Sequence, residues 1–443
     1  MKIGFVSLGC SKNLLDTEVM LHHLATAGYE ITPDETEADV VVVNTCGFIG
    51  DAKQESIDNI LDIAWLKENR SLRGIIATGC MVERYREEVM REMPEVDALL
   101  GVGSLDRIVD AVRAIERGET YVHFGDKDTA PLGGDRVLTT PDHMAYMKIA
   151  EGCDNCCTYC AIPMIRGHFR SRPIEDLVAE AQGLEELGVK ELCLVAQDTT
   201  RYGLDLYGRY ALAELVRALT DNTGIRWIRL LYCYPDKITD ELIAELRDNP
   251  RLVPYMDIPI QHISDSVLSA MNRHGDSATI RDAIARLRAA VPDITLRTTV
   301  IVGFPGETEE DFCKLCEFVK EARFDRFGAF CYSPEEDTPA ALLPDQIDEQ
   351  EKQDRYDTVM ATQLPIAEEK NAAKIGKRLT VLCEGFDPVA ETYFGRSEAD
   401  APDVDGKIYF SANRQLTVGE FYTVKIEEAV DYDLVGRAIS KAK

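Results

Sequence analysis

The sequence predicts an α/β protein built from three successive parts: an open parallel sheet, a partial parallel barrel of six strand–helix units, and a small antiparallel β-barrel. Three observations lead there. Apolar runs at residues 2–8, 39–44 and 74–78 alternate with helical stretches such as 15–28 and 52–68, which is the rhythm of parallel strands joined by helices. The alternation resumes after a Gly/Pro/Asp-containing connector at 125–142, with six further strand candidates. Beyond residue 375 the helices stop, and short alternating strands follow one another through turn residues. The division expected is 1–124, a connector at 125–142, 143–374 and 375–443.

In the first part each strand candidate runs straight into a cysteine: Gly9-Cys10, Thr45-Cys46 and Gly79-Cys80. Side chains just past the carboxyl ends of neighbouring parallel strands converge on one crevice, so cysteines far apart in sequence should meet in space. Cysteine is also a common buried residue near strands, but three strand ends out of three argue against coincidence. Cys10, Cys46 and Cys80 are placed to hold an iron-sulfur cluster through three thiolates, with one iron left open.

The second part places strands at 146–150, 191–197, 227–234, 256–261, 294–302 and 327–332. Helices are expected at 174–187, 211–219, 240–248, 278–290 and 309–322. The first strand leads into Cys153-Asp154-Asn155-Cys156-Cys157-Thr158-Tyr159-Cys160. Thiolates are soft ligands, and Cys153, Cys157 and Cys160 in the spacing CxxxCxxC can hold three irons of a cubic cluster while the fourth lacks a cysteine. Cys156 fits no position of that frame. A zinc knuckle or a merely buried cysteine group is the bland alternative, although no second CxxC-like half follows.

Polar and glycine residues end several of these strands. Gln197 and Gln261 close the second and fourth, Arg297 lies within the fifth, and Gly303 opens a glycine-rich turn after it. Glutamine and arginine can bond a ribose or carboxylate, and glycine admits a backbone close to a ligand, although each is also ordinary loop chemistry. His262 and His274 read more readily as structural or surface histidines than as ligands. The basic run from Arg166 to Pro173 has two readings of equal weight, an attractor of anionic substrate groups and a solvated helix entry.

A charged helix over 348–374 then closes the barrel, and strands at 379–384, 391–396, 406–410 and 420–429 form the third part. Composition bounds the function. The formal charge is −29, which disfavours a phosphate backbone as direct substrate and suits a basic protein partner, or only solubility. From Glu384 to Asp433 there are four Lys and Arg against twelve Asp and Glu, the wrong sign for an RNA-binding surface. Thirteen cysteines, an odd number, together with the lack of a long apolar run or signal pattern, suggest a cytoplasmic, membrane-free protein with metal thiolates rather than disulfides.

The cysteine loop resembles the CxxxCxxC signature of the radical S-adenosylmethionine enzymes. Val6-Ser7-Leu8-Gly9-Cys10-Ser11-Lys12-Asn13, Asn44-Thr45-Cys46 and Thr78-Gly79-Cys80 look like the N-terminal domain of the methylthiotransferases, and the last module resembles a TRAM domain. Asp198-Thr199-Thr200-Arg201-Tyr202-Gly203, Asp257-Ile258-Pro259-Ile260-Gln261-His262, Arg297-Thr298-Thr299-Val300-Ile301-Val302-Gly303 and Gly395-Arg396-Ser397-Glu398-Ala399-Asp400-Ala401-Pro402 are similar to the branch that modifies a ribosomal protein. The resemblance covers nearly the whole chain. It implies a flavodoxin-like N-terminal sheet, a radical S-adenosylmethionine (SAM) barrel and a TRAM barrel. It also implies two 4Fe-4S clusters, an auxiliary one on Cys10, Cys46 and Cys80 and a radical-forming one on Cys153, Cys157 and Cys160.

S-adenosyl-L-methionine would serve as both radical source and methyl donor, with Tyr159, Gln197, Gln261, Arg297 and Gly303 at its rim. No acid–base catalytic residue is implied. The expected reaction is methylthiolation of the β-carbon of an aspartate in protein twelve of the small ribosomal subunit, with an electron-donor protein as second partner. The alternatives are a transfer-RNA adenosine methylthiotransferase and a non-catalytic iron-sulfur redox sensor. One departure is Asp337, which stands where a glycine is expected.

Overall fold

The computed structural model describes residues 1–442. The first sheet has six parallel strands, β1 (Lys2–Ser7), β2 (Glu30–Thr32), β3 (Val40–Thr45), β4 (Gly74–Gly79), β5 (Ala98–Leu100) and β6 (Tyr121–His123), in the order β2-β1-β3-β4-β5-β6. Residues of β3 show why it forms. Val41 and Val43 enter the core on one face while Val40 and Val42 enter the core on the other, so the strand is apolar throughout. The three-residue strands β2, β5 and β6 are additional to the three expected strands, being too short to show a period.

The second sheet takes β7 (Met144–Lys148), β10 (Glu191–Val195), β11 (Trp227–Leu230), β12 (Leu252–Asp257), β13 (Thr295–Val302) and β14 (Arg326–Cys331) in the order β14-β13-β12-β11-β10-β7, all parallel. It is the open, six-unit barrel sheet expected. A small antiparallel pair, β8 (Ala150–Glu151) with β9 (Arg170–Ser171), braces the base of the cysteine loop. Several strands end earlier than read, β11 at Leu230 and β12 at Asp257, because the chain turns into rim loops there. Helices Asp240–Asp248 and Glu309–Ala322 have the expected bounds, the second opened by a Thr308–Asp311 capping box.

The third part is a closed barrel of β15 (Arg378–Asp387), β16 (Thr392–Ser397), β17 (Ile408–Ser411), β18 (Phe421–Val430) and β19 (Asp433–Lys441), ordered β15-β16-β17-β19-β18. The barrel is antiparallel as expected except at one pair, β17 and β19, which run in parallel. The unforeseen β19 folds back on β18 as a hairpin and closes the barrel against β17.

This barrel is plugged into the inner face of the central sheet. Leu382, Ala401 and Phe421 pack with Tyr146, Cys193, Trp227 and Tyr255, and the Trp227 and Phe421 rings meet edge-on at 4.7 Å. Asp337 adopts φ 62°, so the turn does demand the left-handed region where glycine was expected. Among the described residues no helix is long and apolar enough to cross a membrane.

Candidate metal centres

The strand order places β1, β3 and β4 side by side, and their carboxyl ends carry Cys10, Cys46 and Cys80. The three do converge. A Cβ on Gly9 would lie 2.9 Å from Cys46 Sγ, and Asn13 binds the carbonyls of Leu8 and Thr45 at 2.8 and 2.9 Å while its Oδ1 lies 3.8 Å from Cys80 Sγ. Cys80 is buried against Ala161 and Ile165, which directly follow the barrel's cysteine loop. The two cysteine sites therefore abut across one interface.

The barrel loop is pinned on both sides. Cys153 N donates to Gly167 O at 3.1 Å, Thr158 N to Met271 O at 3.0 Å, and Ala340 N to Thr158 O at 2.9 Å. Behind the loop Asn155 donates to Asp198 at 2.8 Å, and the buried Lys237 Nζ lies 3.0 Å from the same carboxylate and 3.2 Å from Asn155 Oδ1. Arg273, buried, lies over the Tyr234 ring at 4.1 Å with its Nη1 3.9 Å from Cys157 Sγ. Cys156 is exposed at φ 50° and turns the chain between Cys153 and Cys157.

Electrostatics differ between the thiols. Although Cys10 is exposed as a residue, its crowded thiol is pushed up by loss of water, and the charges of Lys12 and Arg166 with two backbone N–H groups more than reverse this, leaving it below the usual range. Burial raises Cys46, takes Cys80 to about 12 and Cys153 to about 11, and raises Cys160 further, with the neighbouring Cys157 adding to it. Such thiols become ligands only as the metal displaces their protons. Among the described residues no three His, Cys, Asp or Glu side chains are close enough to hold a single ion.

For the cofactor rim the structure divides the five expected residues. Tyr159 packs with Val267, Met271, Phe304, Tyr332 and Ala340 beside the loop. Gln197 and Gln261 each keep a buried Oε1 without a partner, and such orphaned acceptors fit a ligand that presents hydroxyl or ammonium donors. Arg297 sits on the face covered by the C-terminal barrel, 2.8 Å from Asp257 and 3.7 Å from Asp405, and these ion pairs account for its charge. Gly303 is closely packed. Its N–H is taken by Glu307 at 2.7 Å, and a Cβ there would meet Lys352 Cγ at 2.3 Å, so helix packing explains the glycine.

The arginines of the basic run turn inward, while His168 stays exposed. Arg170 binds the carbonyls of Lys127 and Ala130, Arg172 binds Lys148 O and Glu180, and Arg166 is buried between the domains. His274 is exposed, while His262 is fully buried with Nδ1 accepting from Ser264 N. Sequence reasoning passed over Arg166's destination, Arg273, Lys237 and Asn155. Only the position of Asn155 inside the loop could have signalled one of them.

Three family profiles match the chain: an uncharacterized protein family, UPF0004, at residues 2–101, the radical SAM superfamily at 147–319 and the TRAM domain at 375–439. A ribosomal protein uS12 methylthiotransferase RimO of Geobacter sulfurreducens is 49% identical over 99% of both chains. The protein of that name from Lachnoclostridium phytofermentans is 50% identical over 99% of this chain and 100% of its own. Among solved structures, the radical SAM methyltransferase TsrM of Kitasatospora setae aligns with a TM-score of 0.56 at 14% identity over 87% of this chain and 79% of its own, a likeness of fold. With such identity along its full length, the chain belongs to the RimO family of radical S-adenosylmethionine methylthiotransferases.

Proposed function

We propose that the protein is a radical SAM methylthiotransferase that adds a methylthio group to the β-carbon of an aspartate in ribosomal protein uS12; its relatives are named as methylthiotransferases of that ribosomal protein. The observation that carries this reading is the juxtaposition of two cysteine triads, Cys10, Cys46 and Cys80 at three adjacent strand ends and Cys153, Cys157 and Cys160 in the loop beside them. A single-cluster enzyme has no use for both. When bound, two 4Fe-4S clusters and S-adenosylmethionine supply the radical that removes hydrogen from an unactivated carbon, together with the methyl and sulfur to replace it.

The chain's own residues arrange that chemistry. Cys153, Cys157 and Cys160 are held by backbone bonds to Gly167 and Met271 and by the Asn155–Asp198–Lys237 group. Tyr159, Gln197 and Gln261 line the adjoining rim and offer an aromatic face and two free acceptors. Helix Ile162–Arg166 leads from this loop to the second triad, which keeps the two sites a short distance apart. Electrons come from a separate donor protein, and uS12 is taken free or on the ribosome.

Anaerobic reconstitution should give about eight irons per chain. The reconstituted protein with uS12, S-adenosylmethionine and a reductant should give a methylthio mass increment on one aspartate. Replacing Cys10, Cys46 and Cys80 by Ala should halve the iron and still permit reductive formation of 5′-deoxyadenosine, whereas the same change at Cys153, Cys157 and Cys160 should abolish it. Modification of a transfer-RNA adenosine with none on uS12 would overturn the substrate assignment.

A further inference from the structure

We propose that Arg166, a residue of the barrel, is a positioning residue for the N-terminal cysteine site, where its guanidinium donates to the sulfur of Cys80 and holds up the reduction potential of the cluster bound there. This rests on the reading that Cys10, Cys46 and Cys80 hold an iron-sulfur cluster. Arg166 ends the short helix that follows the barrel's cysteine loop and is 3% exposed. Its Nη2 lies 3.3 Å from Cys80 Sγ and 2.8 Å from Asn13 Oδ1. Its Nη1 reaches Asp16 at 2.5 Å and Glu151 at 3.3 Å.

The aim of this fork is fixed from both ends. Asn13 commits its amide nitrogen to the carbonyls of Leu8 and Thr45, which leaves its Oδ1 to face Arg166. Asp16 and Glu151 are held in turn by Lys148 Nζ at 2.5 and 2.6 Å, and Glu151 also accepts from Gln197. Two cations and two carboxylates thus balance in the buried group, so the guanidinium is retained without adding net charge. What remains directed at the Cys80 sulfur is one N–H arm in a buried interface.

A domain clasp alone would not need that arm, since Lys148 already crosses the same interface to Asp16. Nor would lysine replace arginine here. An ammonium lacks the planar fork that serves sulfur and carboxylate together. Sulfur carries more negative charge in the reduced cluster, so a hydrogen bond to it stabilises the reduced form more than the oxidised form and raises the potential. The step concerned is a one-electron reduction, with dithionite as the donor in the test and no bond made or broken in the protein.

The test compares the parent with R166K and R166Q, each as the full chain reconstituted anaerobically and assayed for iron. Both clusters are followed by redox titration with electron paramagnetic resonance. The expected result is a more negative midpoint for the N-terminal cluster in both variants, larger in R166Q, with the barrel cluster's midpoint unchanged. A merely structural role would lower iron occupancy without shifting the potential of the clusters that remain.

An unchanged midpoint at parental iron content overturns the proposal, and so does an equal shift of both clusters. If R166Q cannot hold iron, R166K decides alone, and loss of the N-terminal cluster from both variants would reduce Arg166 to a clasp and overturn it as well. Failure of the underlying reading is distinguishable: C10A/C46A/C80A would then retain all its iron.

Discussion

Single buried polar residues are where sequence says least, because a side chain announces its charge but not its partner. Arg166 stood in a basic run open to two readings, and neither foresaw that it turns inward to Asp16, Glu151 and Cys80. His262 is the titrating counterpart. It is fully buried, its Nδ1 accepts from Ser264 N at 3.0 Å, and its Nε2 lies 4.0 Å from Glu307 without a hydrogen bond. Burial lowers its pKa to about 4, with Asp311 opposing and Arg355 adding to the shift. The folded protein keeps His262 neutral while the unfolded chain protonates it near the ordinary value of about 6.5. Stability from this group is therefore complete above about pH 6.5 and is lost as pH falls toward about 4, by about 3 kcal/mol. Glu307, raised to about 7 by burial, acts in the opposite sense, so the comparison is between parent and variant. His262→Asn, which can still accept from Ser264, should show a flatter loss of stability in denaturant titrations between about pH 6.5 and about pH 4.5. Identical slopes would show that His262 is not the proton-linked group.

At the scale of elements, the strand ends were legible because a buried parallel strand is a continuous apolar run, and a cysteine at its end stands out against it. Three-residue strands such as β2 and β5 offer no such run, and β19 is hidden in a polar C-terminal stretch, so both sheets were read short. What the sequence could not display is the backbone conformation that delivers each thiol. Cys10, Cys80 and Cys153 each follow a glycine of positive φ, 86°, 92° and 81°. Gly152 is the most constrained. A Cβ there would lie 2.0 Å from His168 O and 2.7 Å from Gly167 O, the backbone that also receives Cys153 N. Neither contact is with a flexible side-chain end, and the left-handed conformation itself disfavours alanine by about 1–2 kcal/mol. Gly152→Ala should therefore force the loop away from the Gly167–His168 backbone and selectively deplete the barrel cluster. Iron per chain would fall toward half with the N-terminal signal retained, and full iron with normal 5′-deoxyadenosine formation would contradict it.

Across the whole molecule, the C-terminal barrel shows how a charge count can mislead when some of its members are already partnered. Of the acids between Glu384 and Asp433, Asp400 pairs with Arg326, Asp405 accepts from Tyr255 at 2.7 Å, Asp403 accepts from Tyr146 at 2.9 Å and Glu384 lies 2.7 Å from Arg396. Arg396 also reaches Glu191, which Arg229 holds from the other side at 2.8 Å. These carboxylates fasten the small barrel into the central one, and breaking the group should be severe: Arg396→Ala leaves Glu191 short of a buried partner and should lower stability by about 3–5 kcal/mol in chemical denaturation. The acids available to a partner are those on the outside, Glu391 and Glu428 among them. A ribosomal protein that lies against RNA phosphates is rich in Lys and Arg, so an acidic outer face attracts it and repels a polyanion. Such attraction is screened, since the Debye length is about 8 Å at physiological ionic strength. Binding of isolated uS12 should therefore weaken as salt rises, and Glu391→Lys with Glu428→Lys should weaken it at low salt while leaving substrate-free 5′-deoxyadenosine formation unchanged. Asp403→Lys should behave differently, because it breaks the bond to Tyr146 and loosens the barrel-to-barrel seat: a lower midpoint of denaturation would accompany any loss of binding. If the two outer reversals leave affinity and its salt dependence untouched, uS12 docks on another face of the enzyme.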